Sequence, residues 1–217
     1  MSYACLLVAV KDSPKHKQST ALIRDLLLPQ PVHIAAVYHH EQPQRFPAWV
    51  YKMHPNQAIK SGEWGCALAH IDCWNWIVRS DMPALIFEDD IAISAPRDVV
   101  KRHIDVTIAN NAEKDVVFIG YSCQFMCTHA YYVTPAGARK LLHGVDPVHH
   151  VVPTPIDHHI RRLCVANTLT FAHAPNLRNS ANTEFDGVVK QVRSRDARGR
   201  IRFKDVSRKP APRPATT

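Results

Sequence analysis

Pro83-Ala84-Leu85-Ile86-Phe87-Glu88-Asp89-Asp90-Ile91-Ala92-Ile93-Ser94 is the stretch from which the fold is read. The apolar run Ala84–Phe87 stops at three consecutive carboxylates. A short apolar run bounded by polar residues reads as a buried strand of a parallel sheet. In open α/β sheets, ligands bind just beyond the carboxyl ends of the strands. Three adjacent carboxylates repel one another and stay ionised near a core only with a compensating cation. A hard divalent metal supplies that charge through oxygen ligands. In an extended chain neighbouring side chains point to opposite sides, so Glu88 and Asp90 share one side and Asp89 takes the other. The spacing lets the Glu88–Asp90 pair meet a metal and a sugar hydroxyl, and leaves Asp89 either behind the metal's ligands or facing a ribose. A solvated acidic turn is the competing reading.

Outward from this strand, helical and extended patterns alternate. Ala4–Val10 reads as a first strand, and Ser13-Pro14 as a helix start with Ser as cap and Pro in the first turn. That helix is expected to reach about Leu28, with a second strand over Val32–Tyr38. The segment 39–56 is polar, carries three Pro, and reads as irregular. Glu63–Arg79 is a strong helix. Trp64, Leu68, Ile71, Asn75 and Val78 line one face, and Cys66, His70, Cys73 and Ile77 another, the mark of a buried helix. Further elements are expected at Asp98–Asn110 (helix), Asp115–Tyr121 and Ala130–Val133 (strands), helices from Thr134-Pro135 and Thr154-Pro155, and a last strand at Asn167–Ala172. The alternation fits a three-layer α/β domain with a mostly parallel sheet.

A chain of 217 residues supports one sizeable core. The expected division is a domain over 1–186 and a basic, partly disordered tail over 187–217. Ten of the 27 basic residues and two of the 19 acidic ones fall in 189–217, so the body before them is neutral. That placement makes nucleic acid an unexpected partner. Solubility, or contact with an acidic partner or anionic membrane, fits better. No run matches a membrane span, and the N-terminus lacks a basic start and cleavage pattern. A cytoplasmic location, peripheral to a membrane at most, is the expectation. The six Cys form no C-x-x-C pair and read as reduced core residues.

The helix Glu63–Arg79 offers its own alternatives. Cys66, His70 and Cys73 share a face, but Cys73 lies about 10 Å along the axis from Cys66. Core packing is favoured over a zinc site, with His70 bonding towards the carboxylate strand as a third reading. Gly65 permits close approach of backbone or ligand. Asp157 follows Thr154-Pro155-Ile156, so a capping box competes with a catalytic role. Glu63 lies in a first helical turn, where a carboxylate also stabilises the helix itself.

GEWGCALAHIDCW, followed by PALIFEDDIAIS, THAYYVTPAGARKLL and Pro155-Ile156-Asp157, resembles glycosyltransferase family 25, which includes lipooligosaccharide and collagen galactosyltransferases. The resemblance covers about Lys60–Leu163. Ala69 stands where the family has Ser, and VAVKDSPKHK replaces its Asn-Leu-Asp segment. The resemblance implies a glycosyltransferase A-type, Rossmann-like fold and a nucleotide-sugar donor, UDP-galactose foremost. It implies Mn²⁺ or Mg²⁺ and inversion at the anomeric carbon, with a glycan, glycolipid or glycoprotein as acceptor. Carried over by residue, it implies Asp157 or Glu63 as catalytic base. Lys11, Lys60, Glu63, His70, Asp89, His129 and Tyr131 would lie about the donor. Glu88, Asp90 and His173 would bind the metal. A fold relative without catalysis, binding a partner through its basic tail, is the alternative.

Overall fold

The computed structural model describes residues 2–37, 42–45, 61–93, 95–119, 128–143, 145, 155–174, 189–191, 194–195 and 201–202. Most of 39–56, with Lys60, Cys123, Cys127 and Thr154, lies outside the described residues.

The described elements run β1 (Ala4–Ala9), α1 (Pro14–Asp25), β2 (Pro31–Ala35), α2 (Ser61–Ser80), β3 (Ala84–Glu88), β4 (Ile91–Ile93), α3 (Arg97–Asn110), β5 (Val116–Phe118), β6 (Ala130–Val133), α4 (Pro135–Leu142), α5 (Ile156–Val165), β7 (Phe171–His173), β8 (Val189–Gln191), β9 (Ser194–Arg195) and β10 (Ile201–Arg202). Six of the strands form one sheet in the order β2-β1-β3-β6-β5-β7. Strand β6 runs antiparallel to both of its neighbours, and the other pairings are parallel. The sheet is therefore mixed and mostly parallel, as the apolar run Ala84–Phe87 predicts.

Both faces of the sheet are covered. Leu6, Val8, Ile86, Val116, Phe118, Tyr131 and Val133 pack under α2, α4 and α5. The alternate residues Cys5, Leu7, Leu85, Phe87, Val117 and Tyr132 pack under α1 and α3. This period-two division gives three layers. Among the described cysteines, Cys5, Cys73 and Cys164 are buried and all four are free thiols.

Helix α2 is buried on two sides, as its pattern requires. Trp64, Leu68, His70, Cys73 and Ile77 are all fully buried. At Gly65 a Cβ would stand 2.0 Å from the carbonyl oxygen of Val37. The missing side chain thus admits the backbone that follows β2. Arg45 clamps the same helix through two 2.9 Å bonds to the carboxylate of Asp72.

Caps set the helix starts. Ser13 Oγ accepts from His16 N at 3.1 Å, and Thr134 Oγ1 accepts from Gly137 N at 3.1 Å. Helix α5 starts at Ile156 with Pro155 as its cap residue, and no side chain caps it. Asp157 Oδ1 instead accepts the N–H of His158 at 2.9 Å.

Two ends differ from expectation. Helix α1 stops at Asp25 and Leu27 turns left-handed, φ 53°. Asn167 also has φ 53°, and the N–H groups of 167 and 168 return to Cys164 and Leu163. Those residues finish α5, so the last sheet strand begins at Phe171 and not at Asn167.

Strand β4 was not foreseen. It follows the carboxylate triplet and pairs antiparallel with β8. The basic segment thus supplies the strand that holds the exit of the triplet.

Candidate functional site

Glu88 ends β3 at the carboxyl edge of the sheet and points to the α2 side. Its Oε1 accepts the Thr128 hydroxyl at 2.6 Å and lies 3.3 Å from His70 Nε2. His70 Nδ1 is 2.8 Å from the Tyr131 hydroxyl, which also accepts Trp74 Nε1–H at 3.1 Å. An ionised carboxylate only accepts and an indole only donates. In the neutral ring the chain of donors therefore runs Trp74 to Tyr131 to His70 to Glu88, with Nε2 protonated. Such a chain is polarised in one direction in a dry setting, since His70 and Tyr131 are fully buried.

Burial alone would raise the Glu88 carboxyl. The hydrogen bond and charge of His70, the Thr128 hydroxyl and the nearby His129 outweigh it and bring it down to about 2. The side chain is 16% exposed. It is an anion held ready at the sheet edge, suited to a cation or a hydroxyl donor.

Asp89 takes the opposite face. Lys15 Nζ approaches its Oδ1 at 3.8 Å, and its backbone carbonyl accepts the Ser19 hydroxyl at 3.0 Å. Burial raises the Asp89 carboxyl, against the pull of Lys15 and of the Val10 backbone. The alternation expected for Glu88 and Asp89 is thus seen: one faces α2, the other α1. Asp90 lies half-buried in the turn between β3 and β4.

The other singled-out residues fall as follows. His129 is buried beside Glu88, and its carbonyl accepts the Glu88 N–H at 3.1 Å. Tyr131 is also buried, so it reaches the site only through His70. Lys11 is exposed in the turn after β1, at the same sheet edge. Glu63 is exposed in the first turn of α2, on the stripe that continues through Cys66 and His70. Asp157 is half-buried at the start of α5, and its described hydrogen bond is the local one to His158. Lys60 lies outside the described residues.

His173 is not brought to Glu88. It sits at the end of β7, separated from β3 by β6 and β5, about 14 Å at normal strand spacing. Ligand bonds of about 2.0–2.6 Å cannot span that gap. A row of rings joins the two instead. His173 stacks on Phe118 at 5.1 Å, Phe118 on Tyr131 at 6.3 Å, and Tyr131 lies 5.6 Å from His70.

One participant escapes the sequence reading, and a second, Cys66, is weighed there only with His70 and Cys73 and not with Glu88. Thr128 is 40 positions from Glu88 and carries no local signal. Cys66 gathers with His70 and Glu88, their ligand atoms all within 4.8 Å of one another, a group able to hold a metal ion. Cys73 does not join them.

Residues 16–107, which include α2, β3 and the triplet, match the model of glycosyltransferase family 25 (LPS biosynthesis protein). The match takes in the first two of the four motifs that carry the resemblance, GEWGCALAHIDCW and PALIFEDDIAIS, and bears the resemblance out over that segment. No curated protein matches the sequence. Among solved structures it is similar to a mutant Drosophila β-1,4-galactosyltransferase 7 in complex with manganese, UDP-Gal and xylobiose (10% identity, 94% of this chain and 76% of that chain, TM-score 0.47). It is also similar to a cytidylyltransferase from Leptospira borgpetersenii (11% identity, 87% and 82%, TM-score 0.45).

Proposed function

We propose that the protein is a metal-dependent, inverting glycosyltransferase that moves galactose from UDP-galactose to a hydroxyl of a glycan, glycolipid or glycoprotein. The observation that carries this reading is the Glu88 cluster. An anionic carboxylate is fixed at the carboxyl edge of a parallel strand, inside the segment that matches the family.

The residues fit a hard cation. Glu88 is held ionised by its neighbours and Asp90 follows two residues on. Both offer oxygen, the donor type that Mn²⁺ and Mg²⁺ favour. Such an ion would supply the positive charge against which a diphosphate leaves. Within the chain, Lys11 and the Lys15–Asp89 pair at the end of β1 are assigned to the diphosphate and ribose. Asp157 is assigned to take the proton of the acceptor hydroxyl, which an inverting transfer needs during attack. The α5 N-terminus weakens Asp157 as a base, so Glu63 is the alternative base. The basic segment suits a cytoplasmic enzyme working against an anionic membrane surface.

The test is donor turnover with UDP-galactose. Activity should fall on EDTA treatment and return with Mn²⁺. Turnover at the wild-type rate in both Glu88→Ala and Asp90→Ala would overturn the assignment.

A further inference from the structure

We propose that Cys66, His70 and Glu88 form a binding site for a zinc-class cation, with Cys66 bound as a thiolate. Two elements distant in sequence converge there. Cys66 and His70 stand one turn apart on α2, and Glu88 closes the group from the end of β3. His70 Nε2 and Glu88 Oε1 are 3.3 Å apart. That spacing is the edge of a tetrahedron whose centre lies about 2.0–2.1 Å from each ligand, the distance zinc takes to nitrogen and oxygen. The sulfur belongs to the same group, whose ligand atoms all lie within 4.8 Å of one another, so it has at most about 1 Å to close to reach a zinc–sulfur geometry.

The surroundings suit this use. Tyr131 Oη stands 2.8 Å from the other ring nitrogen of His70, and Trp74 fixes that hydroxyl in turn. A partner of this kind orients a metal-bound imidazole. Cys66 is only half-buried, so the ion has a way in and the thiol proton a way out. A sulfur, nitrogen and oxygen set favours zinc over the hard Mn²⁺ and Mg²⁺. On binding, Cys66 releases its proton to solvent and Nε2 gives up its own to become a ligand. The ring takes up a proton at Nδ1 in its place and stays neutral, that N–H donates a hydrogen bond to the Tyr131 oxygen, and the Tyr131 hydroxyl proton turns away from His70. Three protein ligands leave a fourth position open.

Glu88 would then be shared between this ion and the oxygen-ligated cation proposed above. Zinc should therefore inhibit Mn²⁺-supported transfer, and Cys66→Ser should relieve the inhibition. That consequence rests on the proposed role of Glu88 in transfer, whereas the zinc site itself does not.

The test titrates the reduced, metal-free full chain with Co²⁺ and then Zn²⁺. Wild-type protein should show a thiolate-to-cobalt charge-transfer band that saturates at one ion per chain and is displaced by Zn²⁺. Cys66→Ser should abolish the band, and the control Cys73→Ser should keep it. Zinc affinity should fall at least about tenfold in Cys66→Ser and His70→Ala, the loss that a supporting residue alone can cause. Circular dichroism identifies any variant that fails to fold, and Glu88→Gln then serves as a second ligand variant, with the same drop in zinc affinity expected. Absence of the band from the wild type, or its full persistence in Cys66→Ser, overturns the site. Donor binding with Mn²⁺ is measured separately, so a failure of the transferase reading shows itself without touching the cobalt result.

Discussion

At the scale of the residue, Glu88 shows how neighbours outweigh burial. A carboxyl so placed would rise if burial acted alone, yet it sits at about 2 against an ordinary 4.5. The Thr128 hydroxyl is one of the groups responsible, and a hydrogen bond to a charged acceptor contributes about 1.5–3 kcal/mol. Thr128→Val removes that bond while keeping the shape. The Glu88 carboxyl should then titrate about one unit or more higher, followed by carbon-13 NMR of the labelled side chain. A value still near 2 would show that His70 and His129 suffice. None of this was legible in Cys127-Thr128-His129, because only the pairing of β6 with β3 lays Thr128 beside Glu88. The triplet itself was legible, since an apolar run that stops at carboxylates signals a strand end wherever it occurs.

At the scale of the element, α2 is held by how closely it approaches its neighbour. The Gly65 position abuts the Val37 carbonyl with no room for a methyl group. Gly65→Ala must push α2 away from the backbone after β2, and overpacking of this kind costs about 1–3 kcal/mol or more. The thermal midpoint should fall and donor affinity should fall with it, because His70 rides on the same helix. An unchanged midpoint would mean that α2 shifts freely. The helix was readable from its two apolar faces. Its partners were legible in part: helical rise set Cys73 apart from Cys66 and His70, and His70 bonding towards the carboxylate strand was one of the readings, but only the sheet brings Glu88 to Cys66 as well. Strand β4 escaped for a related reason, since three residues carry too little pattern and its partner lies about a hundred positions away.

At the scale of the whole molecule, one buried carboxylate ties three elements together. Asp115 Oδ2 accepts Lys140 Nζ from α4 at 2.7 Å and the Thr170 N–H and hydroxyl before β7 at 2.7 and 2.8 Å. Burial would raise its carboxyl, but Lys140 and Thr170 hold it below the usual 3.8. A lowered native value stabilises the fold fully above the unfolded value, and the contribution fades as pH falls towards the native one. Asp115→Ala should therefore lose about 1–3 kcal/mol at neutral pH, the penalty of stranding its donors. The deficit relative to wild type should shrink below about pH 4, as the wild-type carboxyl itself takes up its proton. Urea denaturation across pH 2–7 measures both, and a deficit that stays constant through that range would contradict the account.

The reversed strand β6 has a kinetic meaning. It follows β5 in the chain yet lies between β5 and β3, so the two halves of the sheet meet only through it. Thr128 and His129 arrive at Glu88 with that strand. The joining of these two halves of the sheet and the assembly of the Glu88 cluster are therefore one event, and contacts between residues distant in sequence are slow to form. A folding chain in which only β1, β2 and β3 have paired would carry the acidic triplet without the neighbours that tune it.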